Sequence, residues 1–185
     1  MTTGMPHAVG TQRLLLRPWS PADAPALLPI LEANVDHLGP WIPRQVSTPV
    51  PVAELAERLA GFARDFAEQR AWRYCVLGAG DARILGEADM FPRANGKRVP
   101  FAEADHVEIG YWLDAASRGQ GLASEAAQAL IDLAENLPGV THVEIHCDSA
   151  NAPSAAVARR LGFTRVHETA GGQLWSKPLG SNHAL

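Results

Sequence analysis

The stretch SRGQGLASEA, Ser117–Ala126, places Gly119 and Gly121 between a strand-like segment and an alanine-rich one. Glycine reaches backbone conformations that other residues avoid, so this pair predicts a tight turn from a strand into a helix. Two interpretations of the turn are open. It is a bare connection, or it directs the unpaired N–H groups at the start of the helix toward an anion such as a phosphate.

Two common phosphate-binding loops do not fit this turn. The dinucleotide fingerprint needs a third glycine where Ser124 stands, and the segment DAASR (114–118) separates the strand from Gly119. Too few residues follow Gly121 to complete a doubly wound nucleotide domain. The loop of nucleoside triphosphatases is excluded because no Gly-Lys-Ser/Thr sequence follows the turn.

The remaining pattern is Arg118-x-x-Gly121-x-Ala123 at the start of a helix. Gly121 lets the main chain approach a phosphate without a Cβ in the way, and Arg118 adds a positive charge at the rim. The donors in this interpretation are the backbone N–H groups of Gln120, Gly121, Leu122 and Ala123. The pattern therefore predicts a diphosphate-binding site at the helix N-terminus.

The chain as a whole predicts a single domain over residues 1–185, with its core at about 11–180. Apolar periodicity predicts strands at 11–19, 72–79, 82–91, 106–113, 140–147, 163–167 and 173–177. It predicts helices at 20–35, 52–70, 122–137 and 151–162, the first of them short or broken because of its prolines, and a proline-rich loop before the second. Antiparallel strands that lead into a β-α-β-α-β order indicate an α/β domain, with a mixed sheet covered by helices.

Composition argues against several classes of protein. A net charge of −4 disfavours a nucleic-acid partner, and no apolar run approaches the roughly 20 residues of a membrane helix. Cys75 and Cys147 lie in strand-like segments and suggest no disulfide framework. The start of the chain shows no secretory signal. We therefore expect a soluble, cytoplasmic protein with no membrane or nucleic-acid partner, either a monomer or a homodimer.

The order of these motifs resembles the GNAT superfamily of N-acetyltransferases over almost the whole chain. The shared pattern is a strand like EIGYWL (108–113), then Arg118-x-x-Gly121-x-Ala123 opening a helix, another strand, and NAPSAAVARRLGF (151–163). The segments TQRLLLRPW (11–19) and LGPWIP (38–43) are similar to the branch that acetylates ribosomal proteins at an N-terminal alanine or serine. The resemblance implies acetyl-CoA as co-substrate and a GNAT-type fold, a mostly antiparallel twisted sheet with helices on both faces.

The resemblance also implies how acetyl-CoA is held. A splay between strands 106–113 and 140–147 would let the pantetheine arm insert like an extra strand, and the acetyl carbonyl would meet an N–H within Ile109–Leu113. Asn151, which local physics explains as a helix cap, would also reach this arm. The implied cofactor-binding residues are Ile109, Tyr111, Leu113, Arg118, Gly119, Gln120, Gly121, Leu122, Ala123, Ser124, Asn151 and Ser154.

Acetyl transfer needs a base, because an α-amine with a pKa near roughly 8 must lose a proton to attack. Glu108 is the leading candidate, since it lies on the strand face opposite Val107 and Ile109 and the family often places an acid near this point. The alternative is an ion-paired or solvated edge carboxylate. The rivals that the sequence leaves open are Glu87, Asp89, Glu103, Asp105 and His106.

The residue that would protonate the leaving thiolate of coenzyme A differs from the one that many family members use. Many family members carry a tyrosine four residues before the glycine of LGF, where this chain has Ala158. The branch that acetylates protein N-termini is similar in lacking this tyrosine and offers a serine instead, which implies that Ser154 donates to the sulfur. If Ser154 only caps the helix, solvent must protonate the thiolate.

The sequence thus favours direct acetyl transfer to a primary amine, with a protein N-terminus as the first choice of acceptor. The alternatives are a small amine (a polyamine, an amino acid or an aminoglycoside) and a non-catalytic acyl-CoA sensor. The aromatic and basic residues that could wall the acceptor groove are Trp19, Trp41, Arg44, Phe91 and Tyr111. No metal site is expected, because His142 and His146 would stand roughly 13 Å apart along a strand.

Overall fold

The computed structural model describes residues 4–180. Its strands are β1 (Val9–Gly10), β2 (Leu14–Pro18), β3 (Trp72–Gly78), β4 (Ile84–Ala94), β5 (Lys97–Arg98), β6 (His106–Leu113), β7 (His142–Cys147), β8 (Thr164–Glu168) and β9 (Gln173–Pro178). Its α-helices are α1 (Ala24–Ala33), α2 (Val35–Leu38), α3 (Arg44–Ser47), α4 (Val52–Ala67), α5 (Leu122–Ala134) and α6 (Ala152–Arg160).

All nine strands join one sheet in the order β1-β2-β3-β4-β6-β7-β9-β8, with β5 paired to β4. In residues 4–180 every neighbouring pair is antiparallel except β6 with β7. These two strands run parallel, which requires a long crossover, and α5 provides it. The sheet confirms the predicted fold class.

Helices cover both faces of the sheet and enclose two apolar clusters. On one face α5 buries Leu130 and Ile131 against the sheet. On the other face α1 and α4 pack together, and Leu31, Leu55 and Leu59 are fully buried there. Side chains of β6 contribute to both apolar clusters, because neighbouring residues of a strand point to opposite faces of the sheet.

The helix predicted at 20–35 is shortened, as expected from its prolines. A 3-10 turn at Pro21–Asp23 precedes α1, which covers Ala24–Ala33 and contains Pro29. Pro29 is on the exposed side, where water can satisfy the carbonyl group that loses its N–H partner. The proline-rich segment before α4 is not a plain loop, since it contains the two short helices α2 and α3.

Several local predictions are confirmed. Asn95 and Gly96 form a tight turn between β4 and β5, with φ of 51° and 71°. The Asn151 side chain caps α6 by accepting from the Ser154 N–H, and Gly162 takes a left-handed conformation just after that helix. Across residues 4–180, no helix combines the length and apolar character needed to cross a membrane.

Replacing Leu130 by alanine is expected to lower the free energy of unfolding by about 2–5 kcal/mol. Leu130 is 0% exposed between α5 and the sheet, so the truncated side chain leaves a cavity. Leu133→Ala is the matched control, because Leu133 is on the same helix but only half-buried and should cost much less. Urea denaturation followed by circular dichroism measures both variants. Equal losses would contradict the described packing of α5.

Candidate active site

A wedge-shaped gap opens between β6 and β7. Their ladder joins only His106–Glu108 to His142–Glu144, and beyond it each strand keeps its partner on the other side. The N–H of Asp114 donates to the carbonyl of Leu85 on β4 at 2.7 Å. Because N–H directions alternate along a strand, those of Tyr111 and Leu113 point away from β4 and into the gap. The predicted splay is therefore confirmed.

The glycine turn lies at the open end of this gap. Gly119 and Gly121 have φ of 74° and 77°, a left-handed conformation in which a side chain would be strained, so both positions require glycine. Gly121 is the N-cap of α5. The four amides predicted as donors, those of residues 120–123, have no acceptor within residues 4–180. They are free to bind an anion.

A clamp from the start of the chain fixes this turn. Glu125, in the first turn of α5, accepts from Thr11 Oγ1 (2.6 Å), from the Arg13 N–H (2.8 Å) and from Arg13 Nε (2.7 Å). Arg13 also donates to the carbonyl of Gln120 at 2.9 Å. Burial opposes ionisation of Glu125, but these hydrogen bonds and the charge of Arg13 outweigh it and lower the pKa of Glu125. The clamp joins residues more than a hundred positions apart, and no local pattern in the sequence indicates it.

Two cavities meet at the gap. The first, called the loop cavity, lies between α2, the glycine turn and α6, and has a volume of about 490 Å³. Arg160 lines this cavity, and its guanidinium donates to Ser124 Oγ at 3.1 Å. Arg118, Arg160 and the free amides therefore give the mouth of the loop cavity a positive potential, as phosphates require. The sequence analysis did not identify Arg160.

The second, called the carboxylate cavity, lies on the other side of the gap and has a volume of about 640 Å³. Its charged lining includes three carboxylates and two guanidinium groups, those of Glu87, Asp89, Glu108, Arg73 and Arg98. Trp41 lines both cavities and is 39% exposed, so a large apolar surface is available at the entrance.

Glu87 and Asp89 are buried carboxylates held by a single arginine. Arg73 lies 2.7 Å from Glu87 Oε1 and 3.2 Å from Asp89 Oδ2, and Trp19 Nε1 donates to Glu87 Oε2 at 2.7 Å. Burial raises the pKa of Asp89; Arg73 opposes this rise, whereas the charges of Glu87 and Glu108 add to it. Asp89 Oδ1 has no hydrogen-bond partner within residues 4–180.

The unpaired oxygen of Asp89 lies directly over Gly110 of β6. A Cβ at Gly110 would stand only 2.4 Å from it, so glycine leaves this carboxylate its place beside the strand. Glu108, two residues earlier, lines the same cavity and lies 3.1 Å from Arg93 Nε. This ion pair lacks the alignment of a hydrogen bond, and the Glu108 carboxylate keeps lone pairs for another partner.

Tyr111 and Ser154 lie where the two cavities join, since both residues line both cavities. The Tyr111 hydroxyl is 3.0 Å from Ser154 Oγ. Burial raises the pKa of Tyr111 to about 12, although the hydrogen bond to Ser154 works against the rise. Cys147 is adjacent: burial raises the pKa of its thiol, and a hydrogen bond with Ser154 partly opposes this. Two hydroxyl donors therefore stand at the junction.

Most of the residues named from the sequence come together here. The predicted cofactor contacts that line the loop cavity are Tyr111, Leu113, Arg118, Gly119, Gly121, Leu122, Ala123, Ser124, Asn151 and Ser154. Ile109 lines the carboxylate cavity instead, and Gln120 contributes its carbonyl to the Arg13 clamp.

Only some of the residues predicted to bind the acceptor line the carboxylate cavity. Trp41, Phe91 and Tyr111 line the carboxylate cavity, whereas Arg44 is exposed on α3 and lines neither cavity. Trp19 is buried, and it supports Glu87 rather than walling the groove.

The other residues that the sequence offered as the base lie partly at the carboxylate cavity and partly away from it. Glu87 and Asp89 line the carboxylate cavity. Glu103 is exposed on a short 3-10 turn, and Asp105 is paired with His106 at the far end of β6. Of the acids named from the sequence, Glu87, Asp89 and Glu108 therefore line the cavity, and Asp148, which the sequence did not single out, lines it as well.

Comparison with known proteins gives similar sequences and folds. The ribosomal-protein-serine acetyltransferase of Escherichia coli (strain K12) is 45% identical over 57 residues, 31% of this chain and 32% of that protein, so the match spans about a third of its length. The structure of RimL, a ribosomal L7/L12 α-N-protein acetyltransferase in complex with coenzyme A, has a TM-score of 0.76 at 21% identity and covers 93% of this chain and 98% of RimL.

A second solved structure shares the fold. The microcin C7 self-immunity acetyltransferase MccE, in complex with acetyl-CoA and AMP, has a TM-score of 0.74 at 19% identity and covers 95% of this chain and 98% of MccE. The family model described as the acetyltransferase (GNAT) domain matches residues 13–164. The chain therefore belongs to the GNAT family of acetyltransferases, which use acetyl-CoA as co-substrate.

Proposed function

We propose that this enzyme transfers the acetyl group of acetyl-CoA directly to the α-amine of a protein or peptide N-terminus. The observation that carries the proposal is the junction of the two cavities at Tyr111 and Ser154. A thioester placed there has the loop cavity behind it and the carboxylate cavity in front. Donor and acceptor then meet without a covalent enzyme intermediate, because the gap brings them into one site.

Acetyl-CoA fits the loop cavity with its diphosphate at the start of α5 and its pantetheine arm along the gap. The free amides after Arg118 bind the diphosphate at the start of α5, where the helix dipole favours negative charge. The pantetheine arm extends along the gap, and its amide groups pair with the main chain of β6, like an added strand. The N–H groups of Tyr111 and Leu113 are fixed donors for this arm and for the acetyl carbonyl.

The carboxylate cavity suits an acceptor that carries an ammonium group. Glu108 attracts a cation, Asp89 can accept a proton from it, and Trp41 offers an apolar surface for the residues that follow the amine. The volume of about 640 Å³ exceeds what a bare amine needs and accommodates the first residues of a peptide. The similarity to enzymes named for ribosomal proteins supports the same class of acceptor.

Within this proposal Glu108 takes the proton from the attacking amine, directly or through one water molecule. Its side chain is 17% exposed at the cavity, so solvent can carry the proton away. Asp89 is the second candidate. Its unpaired oxygen beside Gly110 and its raised pKa are features of a carboxylate able to hold a proton near neutral pH.

The leaving thiolate takes a proton from Ser154, whose hydroxyl lies at the junction of the cavities. Tyr111, at 3.0 Å, replaces that proton through the shared hydrogen bond, and solvent in the cavities then returns a proton to Tyr111. This pair occupies the role that a tyrosine at position 158 would fill in many relatives.

A small amine is the alternative acceptor, and the similarity to MccE, whose structure contains AMP, favours it.

A single domain across the chain and a cytoplasmic location are further parts of the proposal. The location is supported by Cys75 and Cys147, which are both free thiols, as expected in a reducing compartment.

The choice of acceptor is tested by incubating the protein with acetyl-CoA and measuring released thiol. The panel contains peptides that differ in their first residue, the same peptides with a blocked α-amine, and small amines. We expect release with free N-termini, at rates that depend on the first residue, and none with blocked peptides. Release with small amines alone would select the alternative, and release with no amine would contradict the proposed function.

Glu108→Gln is expected to lower kcat by about 10²–10⁴-fold, because the amide cannot accept the amine proton. The KM for acetyl-CoA should change little, since Glu108 lines only the carboxylate cavity. Glu103→Gln is the control and should leave kcat unchanged. Asp89→Asn is measured in parallel with its thermal stability. A larger loss in a folded Asp89→Asn protein than in Glu108→Gln would assign the base to Asp89.

Ser154→Ala is expected to lower kcat by about tenfold or more, because the thiolate loses its proton donor. Binding of coenzyme A, measured by calorimetry, should be nearly unchanged, since the Asn151 cap accepts from the backbone N–H of residue 154 and survives the substitution. Ser149→Ala is the matched control, as Ser149 lines neither cavity. A wild-type kcat in Ser154→Ala would show that solvent supplies the proton.

A further inference from the structure

A cluster of two histidines and a glutamate lies at the closed end of the gap. His106 on β6 and His142 on β7 are paired in the parallel ladder, and Glu144 follows on the same face of β7. One ligand atom from each of the three side chains lies within 4.8 Å of the other two. The two imidazole rings are stacked, with centroids 4.5 Å apart. The proposed acetyl transfer uses none of these groups.

Both rings turn a nitrogen lone pair toward the same carboxylate. His106 Nδ1 is hydrogen-bonded to the carboxylate of Asp105, which only accepts, so Nδ1 carries the proton. Thr141 Oγ1 donates to the Asp105 carbonyl and so accepts from His142 Nδ1 at 2.9 Å. In neutral rings the two Nε2 atoms are therefore unprotonated, and each lies 3.4 Å from an oxygen of Glu144.

Such an arrangement calls for a cation. Two imidazole nitrogens and a carboxylate converge on one small space between the strands, where their lone pairs repel one another unless a positive charge lies between them. A divalent ion between the three groups removes this repulsion. The Nδ1 partners Asp105 and Thr141 already hold the rings in the tautomer that a metal ligand needs.

We infer that His106, His142 and Glu144 form a binding site for a divalent transition-metal ion, with zinc the best match. Two imidazoles and a carboxylate are a typical nitrogen and oxygen set for zinc, whereas calcium and magnesium prefer oxygen alone. Ligands about 2.1 Å from a tetrahedral zinc lie about 3.4 Å from one another. His106 Nε2 lies at this distance from Glu144 Oε2 and His142 Nε2 lies at this distance from Glu144 Oε1, so each imidazole faces a different oxygen of the carboxylate.

His146 is hydrogen-bonded to Glu144 beside this set of three ligands and is not one of them. Its Nε2 lies 2.8 Å from Glu144 Oε2, and its side chain is 36% exposed. His142 and His146 both reach Glu144, so their imidazoles are much closer than the 13 Å expected from their spacing along one strand. That expectation measured backbone separation and ignored both the lean of the side chains and the neighbouring strand, which brings His106.

The ion links β6 and β7 just where their ladder ends. Three pairs of residues hold these strands together, so a metal bridge at this point stabilises the closed end of the gap. Its role is structural, because His106 and His142 lie on the side of Glu108 away from the glycine turn and Glu144 is paired with Glu108 in the ladder. The site therefore holds β6 and β7 together and is separate from the amides that bind acetyl-CoA.

The inference is tested on full-length, tag-free protein treated with EDTA and desalted. Titration with ZnCl₂ in a calorimeter should give one ion per chain, and Co²⁺ in place of zinc should give the visible absorption of a tetrahedral nitrogen and oxygen site. Zinc at about 100 times its Kd should raise the Tm by about 5–10 °C, and MgCl₂ should not.

Three variants and two controls locate the site. His142→Gln and Glu144→Gln should weaken zinc binding by about 100-fold or more, and Asp105→Asn, an exposed partner of His106, by about tenfold. The controls His7→Gln and Cys147→Ser should bind zinc as wild type does. Circular dichroism confirms that each variant is folded. No zinc binding by the wild type, or equal binding by folded Glu144→Gln, would overturn the inference.

Discussion

The short parallel ladder between β6 and β7 is the constraint on which the site depends. Parallel neighbours must be joined by a crossover, and α5 is that crossover, so its N-terminus follows the end of β6 after one short connection, residues 114–121. Because the ladder stops after Glu108 and Glu144, the main chain beyond it lacks a neighbour on one side. The same connection thus produces both the gap for an extended ligand and the amides that bind its diphosphate.

Electrostatic contacts over long distances keep this geometry in place. Glu125 holds the glycine turn to the start of β2 through Arg13, and Arg73 holds two buried carboxylates beside the strand that faces the acceptor. Burial alone disfavours charge on Arg73, but the charges of Glu87 and Asp89 outweigh it and raise the pKa of Arg73. The cavity therefore keeps its carboxylates in fixed positions, as a preorganised site requires.

Local patterns in the sequence were enough to predict the fold class, the glycine turn and the Asn151 cap. Each of these depends on a conformation or a hydrogen bond within a few residues, and the alternation along β6 correctly separates its two faces. The family resemblance supplied the splay, which single-strand reasoning could not provide. The helix α3 was missed because a proline at a helix start, here Pro43, looks the same as a proline in a loop.

The features that the sequence could not predict all depend on which strands become neighbours. Arg13 and Glu125 meet across the sheet, Trp19 reaches Glu87, and His106 joins His142 and Glu144. Arg44 is among the residues predicted to wall the groove, yet α3 carries it outside both cavities. Residue type identified the candidates, and only topology decided which of them meet.

Hydrogen exchange with and without coenzyme A measures the central feature most directly, at single amides by NMR. Ligand in the gap should slow exchange at residues 120–123 and at Tyr111 and Leu113, because those N–H groups gain acceptors on the diphosphate and the pantetheine arm. The amide of Asp114, already bonded to Leu85, should change little. Protection confined to other parts of the chain, with these six amides unchanged at saturating ligand, would contradict the account.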